Sequence, residues 1–463
     1  MPRSRKWIPL ERAGVRLQPQ LSPVDARTWQ ALYERYRAAK PQIVAGMYSP
    51  PPTPAQQFAT LWQQPDGTAE YRFEVQTMRS WCNQLFETEE ARAFFGSFAL
   101  HAALSPDDAG GGQFAWLFLG TVQDCGVSIV KGGMHHVSIA LARSLQARGG
   151  ESRTNATVKQ IVIRDGKAVG VHLADGTEIQ VGRLLASNVD PRHLTLDLLG
   201  EEQVGATVAE KIRQYEWGDS FFTIYAALDG PPEYKAGPEP SQAGYVHAAG
   251  ASLEDLSRVF TQCRSGMLPA APMIGIVNES VVDPGRAPAG KALMKFVAHY
   301  MPYRVTGDAT GRITHTNWDE IKDEYADYLI DYLTESFTPN LKQRIVKRVA
   351  QSPVDLERRI TSAVHGTHQH GAFLRYQTAG MPPSRRWGST GPRCPTSISA
   401  ARGAIRAQAS AWGRAGTPRR SSVPIYSSTS RRRPGPALAD RCRRRCLASE
   451  QRDRRTTGSC SWR

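Results

Sequence analysis

Between Gly126 and Pro191 the chain sets out an order of elements that few folds can accommodate. An apolar run, Val127 to Val130, ends at the pair Gly132-Gly133. A helix is expected next, because Val137, Ala140, Leu141, Ala142 and Leu145 recur close to helical spacing. Gly149-Gly150 stops it. Three β runs follow: Val158 to Arg164, Val169 to Leu173 and Thr177 to Leu185. The pairs Asp165-Gly166 and Asp175-Gly176 separate them, and Asp-Gly between apolar runs is a strong hairpin signal. The last run leaves through Ser187-Asn188-Val189-Asp190-Pro191, where Asp190 can cap a new helix.

The ordered set resembles one part of a flavin-binding domain: a Gly-Gly turn, a helix, a meander, and an exit through Ser-Asn-x-Asp-Pro. It is similar to the phytoene desaturase-like FAD-dependent oxidoreductases, which share the amine-oxidase type of flavin domain. Within them it looks closest to the pyridine nucleotide-disulfide oxidoreductase domain-containing protein 2 type. The resemblance implies an α/β fold, with a partial FAD-binding domain of the glutathione-reductase/amine-oxidase type and an α+β substrate domain. It implies FAD as cofactor. It implies cofactor contacts at Gly132 and Gly133, at the backbone of Val158, at Ser187, Asn188 and Asp190, and at the pair His370-Gly371. The implied reaction is hydride transfer from an apolar small molecule to the flavin, for which no catalytic acid or base is assigned.

Residues 1–126 read as mostly helical and are expected to form part of the substrate domain. Ser22-Pro23-x-Asp25 is a helix start, with Val24, Thr28, Trp29, Leu32, Tyr33 and Tyr36 on one face. Further helical patterns run over 73–86 and 89–104. Ala109-Gly110-Gly111-Gly112 reads as a flexible loop, since it lacks G-x-G-x-x-G spacing. No such fingerprint occurs anywhere in the chain. In the family the fingerprint sets the pyrophosphate on a helix start, so the resemblance places Met1 inside the domain, after its first βαβ unit.

Residues 127–200 form the expected central part of the FAD domain and 201–365 the substrate domain, with 366–381 returning to the flavin. Strands are expected at Ser220 to Leu228, Ile274 to Asn278 and Leu293 to Tyr300. Ser252-x-x-Asp255 opens a short helix. Asn317-x-x-Glu320 opens a long one, burying Trp318, Ile321, Tyr325, Tyr328, Leu329, Tyr332 and Leu333. The mixture predicts a sheet with helices on one face. His365-x-x-His368-x-His370 has no carboxylate or Cys beside it and fits no usual zinc spacing, so no metal is expected.

Composition matters chiefly through its unevenness. The net charge is +15 over 463 residues. From Pro382 onward there are 19 Arg, no Lys and three carboxylates, so residues 1–381 carry a net charge of −1. That tail lacks Lys, Phe and His, a composition expected to remain disordered. Read one base out of frame, Pro383 to Ala401 can encode a strand ending in Cys-Gly. Ala404 to Ser422 can likewise encode a Gly-rich loop with Gly-Arg-Asn-Ala-Ala. Both resemble the family's C-terminal flavin motif, and a frameshift after Met381 is the expectation for residues 382–463.

Other classes have less support. The tail has no nucleic-acid-binding module, so binding through it would be non-specific. No Gly-x-Ser-x-Gly elbow supports a serine hydrolase. The scattered Cys82, Cys125 and Cys263 suit a reducing compartment, read as cytoplasmic, or mitochondrial in a eukaryote. Met1 to Gly14 holds no apolar signal region. An apolar substrate is compatible with peripheral membrane contact. The sequence leaves the oligomeric state open, and it leaves open a second reading, a catalytically inactive fragment of such an enzyme.

Overall fold

The computed structural model describes residues 21–47, 49, 52–126, 129–369 and 371–377. The basic tail and its expected frame change, together with Val127 and His370, lie outside the described residues. What is described falls into two units, residues 21–138 with 153–377 and residues 139–152.

The first unit begins with a layer of helices. They are α1 (Pro23–Met47), α2 (Pro54–Trp62), α3 (Gly67–Val75), α4 (Met78–Leu85), α5 (Glu89–Gly96) and α6 (Gly111–Cys125). Side-chain caps start several of them. Thr53, Thr77 and Thr88 each accept from the backbone three residues on, which satisfies an otherwise orphaned amide. Ser22 does the same for α1. Trp29, Tyr36, Trp81, Phe86, Phe95 and Trp116 fill the core between these helices. Val24, expected on the buried face of α1, is 41% exposed, because the first turn directs Asp25 and Ala26 toward the core instead. The fully buried Asp25 carboxylate joins α1 to the start of α5, accepting from the amides of Glu87 and Thr88 and from the Thr88 hydroxyl.

The triple glycine is not a loop. Gly110 takes a left-handed conformation at the N-cap of α6, and Gly111 and Gly112 lie buried in its first turn. A Cβ on Gly112 would stand 2.8 Å from Trp81. Close helix packing, rather than chain freedom, is what these glycines provide.

The second layer is a five-stranded antiparallel sheet in the order β10-β4-β8-β7-β5. Its strands are β4 (Ser220–Leu228), β5 (Tyr245–Ala248), β7 (Ile274–Asn278), β8 (Ala292–Met301) and β10 (Ile345–Gln351). A short parallel pair, β6 (Met267–Leu268) and β9 (Gly307–Asp308), stands apart. Strand alternation divides the sheet into two faces. Phe222, Ile224, Ala226, Ile276, Met294, Phe296 and Ala298 bury one face. The helix Trp318–Ser336 covers it with Trp318, Ile321, Tyr325, Leu329 and Leu333. Asn317 caps that helix, and Ser252 caps Leu253–Arg264, as their spacing predicts.

The meander has the expected order β1-β2-β3, with β1 (Val158–Arg164), β2 (Lys167–Leu173) and β3 (Glu178–Gln180). The first turn has positive φ at both Asp165 and Gly166, the requirement that makes Asp-Gly a hairpin pair. The third strand is shorter than its apolar pattern. One further bond, from the Val181 amide to the Val169 carbonyl, precedes its departure. Ile161, Val171 and Leu173 pack on Leu194, Leu198 and Leu199 of a π-helical segment, His193–Leu199.

The expected helix after Gly133 is α7 (His135–Gln146), none of whose residues is buried. In the second unit, its C-terminal turns expose Ile139, Leu141 and Leu145. A bond from the Gly150 amide to the Leu145 carbonyl closes the end of the helix.

Candidate functional site

The free face of the large sheet carries the chemistry. The alternation that buries Phe222, Phe296 and Ala298 sends Phe221 of β4 and His299 of β8 the opposite way. Tyr245 and His247 lie on β5, and His247 is registered with Gly275 of β7. The helical turn Ser97–Ala102 faces them with Phe98 and His101, joined by Phe118 of α6. His368 closes the group from the C-terminal segment by stacking on Phe221, with ring centroids 4.5 Å apart.

The rings form one continuous set. His101 lies 4.6 Å from Phe118, 5.3 Å from His247 and 6.1 Å from His299, between ring centroids. His299 meets Phe221 edge-on at 4.9 Å, and Tyr245 meets His247 at 4.9 Å. Gly275, lacking a side chain, lets the Tyr245 hydroxyl occupy the centre. A Cβ there would collide with the Tyr245 hydroxyl and lie 3.4 Å from Nε2 of His299.

Burial keeps these imidazoles neutral. Desolvation brings His247 and His368 down to about 4. It also holds His101 and His299 well below the usual range, and the neighbouring imidazoles lower both further. Desolvation raises the Tyr245 phenol as well. Yet His368 and Tyr245 are exposed to solvent, and His101 and His247 are half-buried. Groups that water reaches but protein surrounds on most sides are the wall of a recess. His299 forms its deepest part, at 6% exposure, and neither of its ring nitrogens has a hydrogen-bond partner.

A buried acid stands elsewhere in the same unit. Desolvation raises Asp219 to about 7, and the Cys263 thiol donates to it at 3.7 Å.

The sequence-derived cofactor residues have other settings. Gly132 and Gly133 make a turn with φ of 78° and 111°, and the Gly132 amide donates to Asp283 at 2.6 Å. Val158 opens β1, paired with Leu173. Ser187 and Asn188 lie in the connection after the meander. Asp190 is fully buried and accepts from the His193 amide at 2.9 Å, capping the π-helical segment. Gly371 adopts φ of 140° against the Tyr215 ring, where no side chain fits. His365 and His368 part company: the first packs on Tyr303, the second on Phe221. Among the described residues no group of three or more His, Cys, Asp or Glu is placed to hold a metal ion.

Sequence patterning alone does not single out His101, His247 or His299. Period-2 alternation holds a signal for one of them. In Lys295-Phe296-Val297-Ala298-His299 the histidine falls on the phase opposite the buried residues. His101 and His247 give no comparable local sign, because their partners are distant in sequence.

No family model matches the chain. Among known proteins, it is similar to the pyridine nucleotide-disulfide oxidoreductase domain-containing protein 2 of Rattus norvegicus, at 29% identity over 303 residues, which are 63% of this chain and 51% of that protein. A limonene dehydrogenase polypeptide of Castellaniella defragrans is 26% identical over 384 residues, 79% of this chain and 68% of that protein. The neurosporene-forming phytoene desaturase of Rhodobacter capsulatus is 34% identical over 106 residues, 23% of this chain and 20% of that protein. The chain spans about half the length of the first of these relatives. With its α/β architecture and these relatives, the chain is a homologue of the phytoene desaturase-like oxidoreductases.

Proposed function

We propose that the chain carries the substrate side of an FAD-dependent oxidoreductase acting on an apolar small molecule. The observation behind this reading is the aromatic and histidine-lined recess on the free face of the sheet. Phe98, Phe118 and Phe221 supply apolar walls, and the neutral imidazoles add hydrogen-bonding capacity without charge. Such a lining binds an apolar body and excludes water from it. Relatives named for limonene and phytoene support the same substrate class. On this reading residues 201–365 form most of the substrate domain, and the cytoplasm, or the mitochondrion in a eukaryote, is the compartment. Among the described residues no helix is long and apolar enough to cross a membrane.

The proposed flavin contacts are Gly132, Gly133, Val158, Ser187, Asn188, Asp190, His370 and Gly371. The geometry at two of them fits a dinucleotide poorly. The Gly132 amide is held by the Asp283 carboxylate, and an acidic group beside the glycine turn repels a pyrophosphate. The Asp190 carboxylate is engaged as a helix cap. One or two backbone bonds at Val158 contribute about 1–2 kcal/mol, whereas micromolar affinity needs about 8 kcal/mol. We therefore assign no chemical step through the flavin, and a second reading, a catalytically inactive portion of such an enzyme, is favoured by the same Gly132–Asp283 contact.

The test is FAD titration of the purified chain. The expectation is a colourless protein with affinity weaker than micromolar. With FAD in excess under anaerobic conditions, an apolar substrate that bleaches the flavin band would support an active enzyme. Absence of bleaching across terpenoid substrates would support the inactive reading. A stoichiometric, tightly held flavin would overturn the assignment of Gly132 and Asp190 to internal contacts.

A further inference from the structure

Two other apolar groups lie at the surface. The exposed Phe58 and Trp62 on α2, with the half-buried Tyr71 of α3, have nothing beside them that selects an occupant. The apolar residues along α7 are equally unselective. The recess differs, because it contains a polar group that its own walls leave unsatisfied.

We propose that its ligand is an apolar molecule bearing an uncharged hydroxyl, and that His299 holds that hydroxyl. The proposal rests on the recess being the substrate site. His299 is 6% exposed, and neither Nδ1 nor Nε2 has a hydrogen-bond partner. A neutral imidazole has one donor and one acceptor. Leaving both unpaired inside protein costs stability, and native structures rarely tolerate it without a functional reason. The absent side chain of Gly275 lets the Tyr245 hydroxyl lie over its backbone, on the side where Nε2 of His299 also sits. A pure hydrocarbon placed there would leave the imidazole as unsatisfied as before.

Charge narrows the choice. The imidazoles around the recess are neutral, so an anionic head group finds no cation among them. A hydroxyl both donates and accepts, and it therefore suits whichever tautomer His299 adopts.

The experiment is isothermal titration calorimetry on the full chain with a matched pair of probes, geraniol and the hydrocarbon of the same skeleton without the hydroxyl. The expected result is at least tenfold tighter binding of the alcohol. That preference should fall to near unity in His299→Phe and be partly retained in His299→Gln, which keeps a donor and an acceptor. Circular dichroism melts identify any variant that fails to fold, and the wild-type comparison stands without the variants. Equal affinity for the two probes, or tighter binding of the hydrocarbon, would overturn the hydroxyl assignment and leave the recess reading in place. Binding of neither probe would overturn the recess reading, and this proposal with it. An alcohol preference unchanged in His299→Phe would remove His299 from the assignment.

Discussion

His101 and His247 hold their rings 5.3 Å apart, one on a helical turn and the other on an edge strand of the sheet. Both are kept neutral by burial, and each protonation would raise the cost of the next. The contact between the helical layer and the sheet is therefore sensitive to acid.

Stability should fall as the medium is acidified. His247 and His368 titrate near 4 in the folded chain, and His101 and His299 also lie below the ordinary value of about 6.5. Between these limits the unfolded chain binds protons that the folded chain refuses, so stability is lost as pH drops from about 6.5 to about 4. Asp219, raised to about 7, acts in the opposite direction throughout that window. The net uptake on unfolding is roughly three protons. Urea midpoints measured at pH 7.5 and 5 should differ clearly, and equal midpoints would refute the neutral cluster.

Replacing His299 with leucine should stabilise the ligand-free chain by about 1 kcal/mol. The change removes two unsatisfied buried nitrogens while keeping most of the apolar volume. Chemical denaturation measures it. A loss of stability would mean that His299 is satisfied by ordered water.

Asp25 is expected to behave as a structural carboxylate. It is fully buried and accepts three hydrogen bonds at the entrance to α5. Asp25→Ala leaves the Glu87 and Thr88 amides without that acceptor and should cost about 3 kcal/mol or more. A midpoint within error of the parent chain would contradict it.

Gly112→Ala opposes two effects. Alanine gains about 1 kcal/mol of helix propensity, but its Cβ would lie 2.8 Å from Trp81. Trp81 is fully enclosed and cannot move aside, and overpacking of this kind costs about 1–3 kcal/mol. The expected outcome is a lower thermal midpoint; a higher one would show that α4 and α6 can separate.

Elements with a chemical signal at their ends were legible in the sequence. Asp165-Gly166 specified its turn through positive φ, and Ser22, Ser252 and Asn317 marked helix starts through their caps. Strands β5 and β10 were not foreseen. Tyr245–Ala248 is only four residues long, and Ile345–Gln351 carries Lys347, Arg348 and Gln351 at the sheet edge. The glycines at 110–112 were misread because a close approach between helices leaves no local mark. The recess was hidden for the same reason. His101 and His299 are nearly two hundred positions apart, and only the packing of a turn against a sheet brings them together.

The two faces of the sheet also separate what can vary from what cannot. Along β8, Met294, Phe296 and Ala298 are locked against the helix Trp318–Ser336, whereas Lys295, Val297 and His299 fall on the other phase. A library randomised at the second set, with Phe221, would sample new ligand preferences at little risk to folding. The same diversity moved by one residue would fall on the core and yield mostly unfolded clones.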